Sequence, residues 1–101
     1  MILYNTTFTF HNSLRDNLLE WIKVEWLPSA AAAGMTGCTV ARLLVDIDPE
    51  ASAFAVQGRF ATEETAEAWR DGAGAGLLER LHARCGEAVL PFSTMMEVIE
   101  L

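Results

Sequence analysis

Basic residues are scarce in this chain of 101 residues: 7 Lys and Arg stand against 14 Asp and Glu, a formal net charge of −7. Seven cations scattered among fourteen acids build no phosphate-tracking patch, which argues against a nucleic-acid role. The same balance would repel the chain from anionic membrane surfaces. Long apolar runs are missing: none approaches the 18 or so residues that span a bilayer. The first basic residue is Arg15, so the opening MILYNTTFTF has no positively charged n-region of a signal peptide. Cysteine is limited to Cys38 and Cys85, 47 positions apart with no CxxC and no nearby His. Both read as buried small apolar side chains, with a disulfide or a reactive thiol as the alternatives. The cytoplasm is the expected compartment.

What the chain has in quantity is apolar surface. Hydrophobic residues make up 51% of it and seven more residues are Gly, above the roughly 45–50% usual for both together. Disorder is excluded by that composition. The length predicts one domain over residues 1–101, which at this size buries roughly 65% of its unfolded surface and needs no staples.

The apolar residues fall into alternating patterns. In Met1–Phe10, Ile2, Tyr4, Thr6, Phe8 and Phe10 share one face, and Leu3, Asn5, Thr7 and Thr9 share the other, as expected of a strand between two different environments. Asn12 or Ser13 is placed to cap a helix, with Asp16 three residues after Ser13 in the manner of a capping box. Leu14, Leu18, Trp21 and Ile22 follow at helical spacing. Pro28 cannot occupy a helix interior, so this helix is expected to end near Trp26, with Pro28 opening a short turn that Gly34 terminates. Cys38–Val45 and Ser52–Phe60 read as strands, joined by a hairpin connection at Asp46–Glu50. In the second of them Phe54, Val56, Gly58 and Phe60 oppose Ala53, Ala55, Gln57 and Arg59. Thr62 caps a second helix, whose apolar stripe is Ala66, Trp69, Leu77, Leu78, Leu81 and Cys85. Gly72, Gly74 and Gly76 predict a break within it, each costing about 1 kcal/mol relative to Ala. Gly86 ends the helix, and Val89–Glu100 is the last strand, with Pro91 near its start suited to an edge.

The order β-α-β-β-α-β is the ferredoxin-like split βαβ arrangement, an α+β fold with a four-stranded antiparallel sheet and both helices on one face. The other face must meet water, a ligand or a partner. The apolar surplus points to a partner, because a large bare patch is unusual on a monomer. Two such sheets packed face to face form a dimeric α+β barrel, so a homodimer through sheet faces is expected.

Several short motifs carry a family resemblance: Tyr4-Asn5, Trp21, Leu27-Pro28, Gly34, Arg42-Leu43-Leu44, Phe54-Ala55-Val56-Gln57 and the ending Phe92-Ser93-Thr94-Met95-Met96-Glu97-Val98. Together they resemble a small uncharacterised bacterial family, a domain of unknown function similar in fold to dimeric α+β barrels. The resemblance implies an architecture and no activity. Family members often carry a His before the Leu-Pro, where this chain has Trp26. They often carry His-Ala-Pro in the second helix, where it has Gly72-Ala73-Gly74. An Arg often precedes the Thr of the last strand, where it has Ser93. A site built on those polar residues in relatives is largely lost here.

Candidate chemistry lies on the polar side of the sheet. Asn5, Thr7 and Thr9 of the first strand and Gln57 and Arg59 of the third belong to two strands that are central and adjacent in this fold. Neutral hydrogen-bonding groups in an apolar cavity suit a small-molecule pocket; a polar patch within a dimer interface, or facing solvent, is the plainer reading. Arg42 could hold a carboxylate or phosphate bidentately, although such an Arg more often pairs with a structural acid. Tyr4 reads as core. His11, His82 and the acids Asp46, Asp48 and Glu50 lack metal-ligand spacing, and the last three lack the glycine and length of a calcium loop; no metal and no cofactor are expected. Gly72–Gly76 follows a helix rather than a strand and has no Lys-Ser/Thr, so it is no phosphate cradle; a flexible break or a lid over a cleft fits it better. No Ser-His-Asp or Cys-His arrangement can be drawn.

Three functional readings remain, in order of preference. The first is a non-catalytic small-ligand or regulatory binding module. The second is an assembly protein. The third is a cofactor-independent oxygenase, cyclase or isomerase of the dimeric α+β barrel class, which rests on fold analogy alone. The third is weakened by the lack of a titratable His, Asp or Glu on the polar face of the two central strands.

Overall fold

A computed structural model describes residues 1–45 and 48–101; the expected hairpin residues Asp46 and Ile47 lie outside the described residues. Four strands, β1 (Ile2–His11), β2 (Thr36–Arg42), β3 (Ala51–Phe60) and β4 (Val89–Glu97), form one sheet in the order β2-β3-β1-β4. Every pairing is antiparallel. The helical segments are α1 (Arg15–Trp21), α2 (Leu27–Ala32), α3 (Glu63–Trp69) and α4 (Ala75–Cys85). They supply the two crossovers of the ferredoxin-like arrangement, as the alternation of element types predicts. No helix among the described residues is long and apolar enough to cross a membrane.

The alternation in β1 and β3 decides which side of the sheet is covered. Tyr4, Thr6, Phe8 and Phe10 are buried, as are Phe54, Val56 and Phe60 across the ladder. Leu18, Trp21, Ile22, Trp26 and Ala30 of the first helical arm and Ala66, Trp69, Leu77 and Leu81 of the second complete this core. Its centre is aromatic. The rings of Trp26 and Trp69 meet edge to face at 4.8 Å, and each stands over a β1 ring, Phe8 and Tyr4 respectively, at 5.3 Å. Such pairs add about 0.5–1.5 kcal/mol beyond area burial. The Trp69 indole N–H donates to Ser29 Oγ at 3.1 Å and ties the two arms together.

Two expectations about the helices need correction. The first helix does not end at Trp26. A π turn over Ile22–Trp26 carries the helical backbone straight into α2, with Leu27 donating its amide to the Ile22 carbonyl five residues back. The widened turn gives the Pro28 ring room where an α turn would drive it into the carbonyl four residues earlier. The cap at the start of this arm is neither Asn12 nor Ser13: His11 Nδ1 accepts the Ser13 amide at 3.2 Å. Asn12 instead anchors the β2–β3 connection, accepting from Ser52 Oγ at 2.6 Å and donating to the Pro49 carbonyl at 3.2 Å. The remaining signals operate as read. Gly34 takes φ +110° after α2 and Gly86 takes +55° after α4. Thr62 Oγ1 accepts the Thr65 amide. The glycine-rich stretch forms a π turn over Arg70–Gly74 with Gly72 outside helical geometry. Cys38, expected inside, is exposed on β2 because that strand is an edge with a bulge between Thr36 and Thr39. Neither cysteine is bonded to the other.

Candidate functional site

With both helical arms on one side, the second face of the sheet stays open. The register places Thr39, Gln57, Asn5 and Thr94 directly opposite one another across β2, β3, β1 and β4. They form a row of neutral hydrogen-bonding side chains that crosses the whole sheet. Asn5 Nδ2 donates to Thr7 Oγ1 at 3.1 Å, which orients the carboxamide. Gln57 is half-buried, and its side chain hydrogen-bonds nothing among the described residues.

Apolar groups flank the row. Thr7 lies between Ala55 and Phe92, Thr9 between Ala53 and Leu90, and Leu3 between Arg59 and Met96. Phe92 is 71% exposed, Leu90 54% and Met96 40%. These three share the open side of β4, interrupted only by Thr94, and exposed apolar groups gathered on one face mark an interaction surface.

Of the residues singled out from the sequence, Asn5, Thr7, Gln57 and Arg59 therefore share one face, with Arg59 exposed at its end. Arg42 does not join them. It pairs with Phe54, whose side chain faces the helices, so Arg42 projects from the opposite side of edge strand β2. Thr39, Thr94 and the β4 stripe also belong to this face. The alternation Leu90, Phe92, Thr94, Met96 was the signal available for them, but the partnering of β4 with β1 is needed to bring them beside Asn5 and Thr7.

The covered face holds a second polar feature. Thr6 Oγ1 and Ser93 Oγ hydrogen-bond at 2.8 Å inside the sheet. Tyr4, 2% exposed, lies beside them. Burial pushes its phenol above the ordinary value of 10.0, against a smaller opposing influence from the Ser93 hydroxyl and the Arg70 guanidinium. Ser93 thus closes a part-buried hydroxyl pair with Thr6.

At the far end of β1 a cavity of about 440 Å³ is lined by residues that include Phe10, His11, Leu14, Glu50, Glu87 and Leu90. His11 Nδ1 is engaged by the Ser13 amide, and Nε2 stands 3.9 Å from a Glu50 carboxylate oxygen. No three His, Cys, Asp or Glu side chains among the described residues are grouped to hold a metal. His82 lies exposed on α4.

A four-stranded antiparallel sheet with helices on one face and an apolar, nearly uncharged second face defines a ferredoxin-like α+β protein. The chain belongs to the family described as domain of unknown function DUF4286, whose pattern matches residues 1–99. No curated protein matches it in sequence. Among solved structures it is similar to a dimeric ferredoxin-like protein from an uncultured marine organism, with a TM-score of 0.67 and 10% identity over 100% of this chain and 97% of that one. A second dimeric ferredoxin-like protein from an uncultured marine organism superposes with a TM-score of 0.59 at 16% identity, covering 99% and 97% of the two chains. A mutant of MhuD with two manganese protoporphyrin IX molecules bound per active site gives 0.63 at 16% identity, covering 99% and 96%. At these identities the likeness is one of fold.

Proposed function

We propose that the chain is a homodimeric, non-catalytic binding module whose two copies pack open face to open face and enclose a small-ligand chamber. One observation carries this reading. The chain has 14 Asp and Glu, yet the register places none of them on the open side of any strand, where Arg59 is the one exposed cation. A solvated sheet face of so acidic a protein would carry acids, whereas interface cores are depleted of charge and enriched in Phe and Met. An isologous contact also demands this depletion, because each copy would otherwise bring its own like charges together.

The sheet edges favour the face as the place of contact. β4 carries Pro91, and β2 carries the bulge with Gly37 at φ +62°. Both devices blunt edge-to-edge pairing. The two solved structures described as dimeric share this fold. Asn5, Thr7, Gln57 and Arg59 are the ligand-facing residues in this reading, and Arg42 stays outside the chamber. The free thiols of Cys38 and Cys85 support a reducing, cytoplasmic compartment.

Sedimentation at micromolar concentration tests the assembly. The wild type is expected as a dimer, and Phe92→Glu, which plants a charge in the apolar stripe, as a folded monomer. A monomeric wild type would sink the proposal. A metabolite-library thermal-shift screen tests the chamber, since a ligand that binds the native state raises its melting temperature.

Catalysis without a cofactor is the second reading, and Tyr4 is the observation that favours it: a buried phenol beside the Ser93 hydroxyl with Arg70 nearby. A turnover found in the same library and lost in Tyr4→Phe would replace the binding module with an enzyme.

A further inference from the structure

We infer that the row across the open face takes a neutral, planar, fused-ring molecule whose edge carries an amide N–H beside a carbonyl, a bicyclic lactam or imide; the inference rests on the ligand-chamber reading above. The chemistry of the row selects the charge. Thr39, Gln57, Asn5 and Thr94 hold two hydroxyls and two carboxamides and nothing that titrates. An ionised ligand lying on them would give up its hydration with no counter-charge beneath it, which costs several kcal/mol or more. Arg59, the one Lys or Arg on this side of the strands, lies exposed two residues along β3 from Gln57 and opposite the apolar Leu3, so it meets the rim of a ligand lying on the row and not its centre.

The polar groups select the edge. A carboxamide offers one donor and one acceptor side by side, and it matches a ligand edge with an acceptor beside a donor. Asn5 has one N–H directed at Thr7, leaving its carbonyl and second N–H for the open side. Gln57, the directly opposed residue, has its whole carboxamide free among the described residues. Two adjacent amides with unfilled donors and acceptors, on strands that carry no acid on that side, form a template for a third amide, the ligand's.

The neighbouring ring selects the shape. Phe92 pairs with Thr7 and stands two residues before Thr94, which pairs with Asn5. Phe92 is therefore the diagonal neighbour of Asn5, roughly 7–8 Å away and within reach of large side chains. A fused bicycle is long enough to hold its lactam edge against the amides while its second ring packs on the exposed face of Phe92. Offset stacking of that kind is favourable for a flat aromatic partner.

The test uses three probes on the full chain: 2-quinolinone, its N-methyl derivative and 2-naphthoate, with calorimetry for affinity and sedimentation for assembly. 2-Quinolinone is expected to bind and to raise the melting temperature. The N-methyl compound, lacking the donor, is expected to bind about tenfold or more weakly, the cost of one unmade hydrogen bond in a desolvated site. Gln57→Leu and the near-isosteric Thr94→Val are both expected to weaken 2-quinolinone binding while sedimenting as dimers. Equal binding of the N-methyl compound, tighter binding of 2-naphthoate, or no binding of 2-quinolinone by a dimeric wild type overturns the ligand class. If a library compound binds the dimer and is lost in Gln57→Leu while 2-quinolinone does not bind, the class fails and the chamber stands. A monomeric wild type removes the chamber itself.

Discussion

Gly74 and Gly76 lie two residues apart in the second helical arm, and the structure assigns opposite signs to the same substitution at each. Both are helical, so on propensity alone Ala would stabilise either position by about 1 kcal/mol. At Gly76 the nearest atom to an added Cβ is the tip of the Arg80 side chain at 3.7 Å, ordinary contact. Gly76→Ala should therefore realise most of that gain and raise the melting temperature by about 4–8 °C. At Gly74 the added Cβ would lie 2.8 Å from the Trp69 carbonyl oxygen and 3.4 Å from two atoms of the Trp69 ring. That oxygen is backbone, and the ring is wedged between Tyr4, Trp26 and Phe60, so neither can yield without disturbing the aromatic core. Overpacking of this kind costs about 1–3 kcal/mol. After the propensity gain, Gly74→Ala is expected to be destabilising by up to about 2 kcal/mol, with the melting temperature falling by about 4–8 °C for each. Thermal melts of the two variants and wild type at one fixed protein concentration decide it. A Gly74→Ala protein as stable as Gly76→Ala would show that the arm does not press against Trp69 as described, and the account of the glycine run would fall with it.

Thr62→Ala removes the side-chain cap of α3 and should lower stability by about 1 kcal/mol, read as a shifted urea midpoint with an unchanged slope. Trp69→Phe leaves Ser29 Oγ without the indole donor at 3.1 Å and opens space in the core, so a loss of about 1–3 kcal/mol is expected by the same assay. The chain has a single tyrosine, so its ultraviolet titration reports Tyr4 directly. Burial raises the folded pKa above 10.0, so the neutral phenol's contribution is fully present below pH 10 and is lost as pH rises through the folded value. Wild-type stability should therefore fall more steeply above pH 10 than that of Tyr4→Phe; parallel profiles would contradict the burial. Gln57→Glu places an acid on the open face of each copy and should shift the proposed dimer toward monomer at pH 7 in sedimentation, with recovery as the carboxyl is protonated.

Much of this architecture was legible in local pattern. The period-two alternation of Tyr4, Thr6, Phe8 and Phe10, and of Phe54, Val56, Gly58 and Phe60, is set by the backbone of a strand and needs no tertiary partner to be seen. Capping at Thr62, termination at Gly34 and Gly86, and the break among the glycines are likewise local, because each depends on one side chain or its absence. So were Asn5, Thr7, Gln57 and Arg59 as members of one face. Where local rules failed, a neighbour had intervened. By local rules Pro28 ends a helix, but the packing of Trp26 and Ala30 against the sheet favours a continuous arm, and a π turn accommodates the proline. Asn12 and Ser13 have the chemistry of caps, but the approach of the β2–β3 connection recruits Asn12 and leaves the cap to His11. Cys38 has the composition of a core residue and is exposed because its strand is an edge.

Side-chain order along a strand of fixed pitch is enough to show that two faces exist, one apolar enough for two helical arms and one bearing amides and hydroxyls. Which side chains on different strands meet is not in that order and follows from how the strands pair. Register is a property of pairs of strands, and it is register that aligns Thr39, Gln57, Asn5 and Thr94, sets Phe92 beside Thr7, turns Arg42 to the other side, and puts no acid of the described strands on the open side.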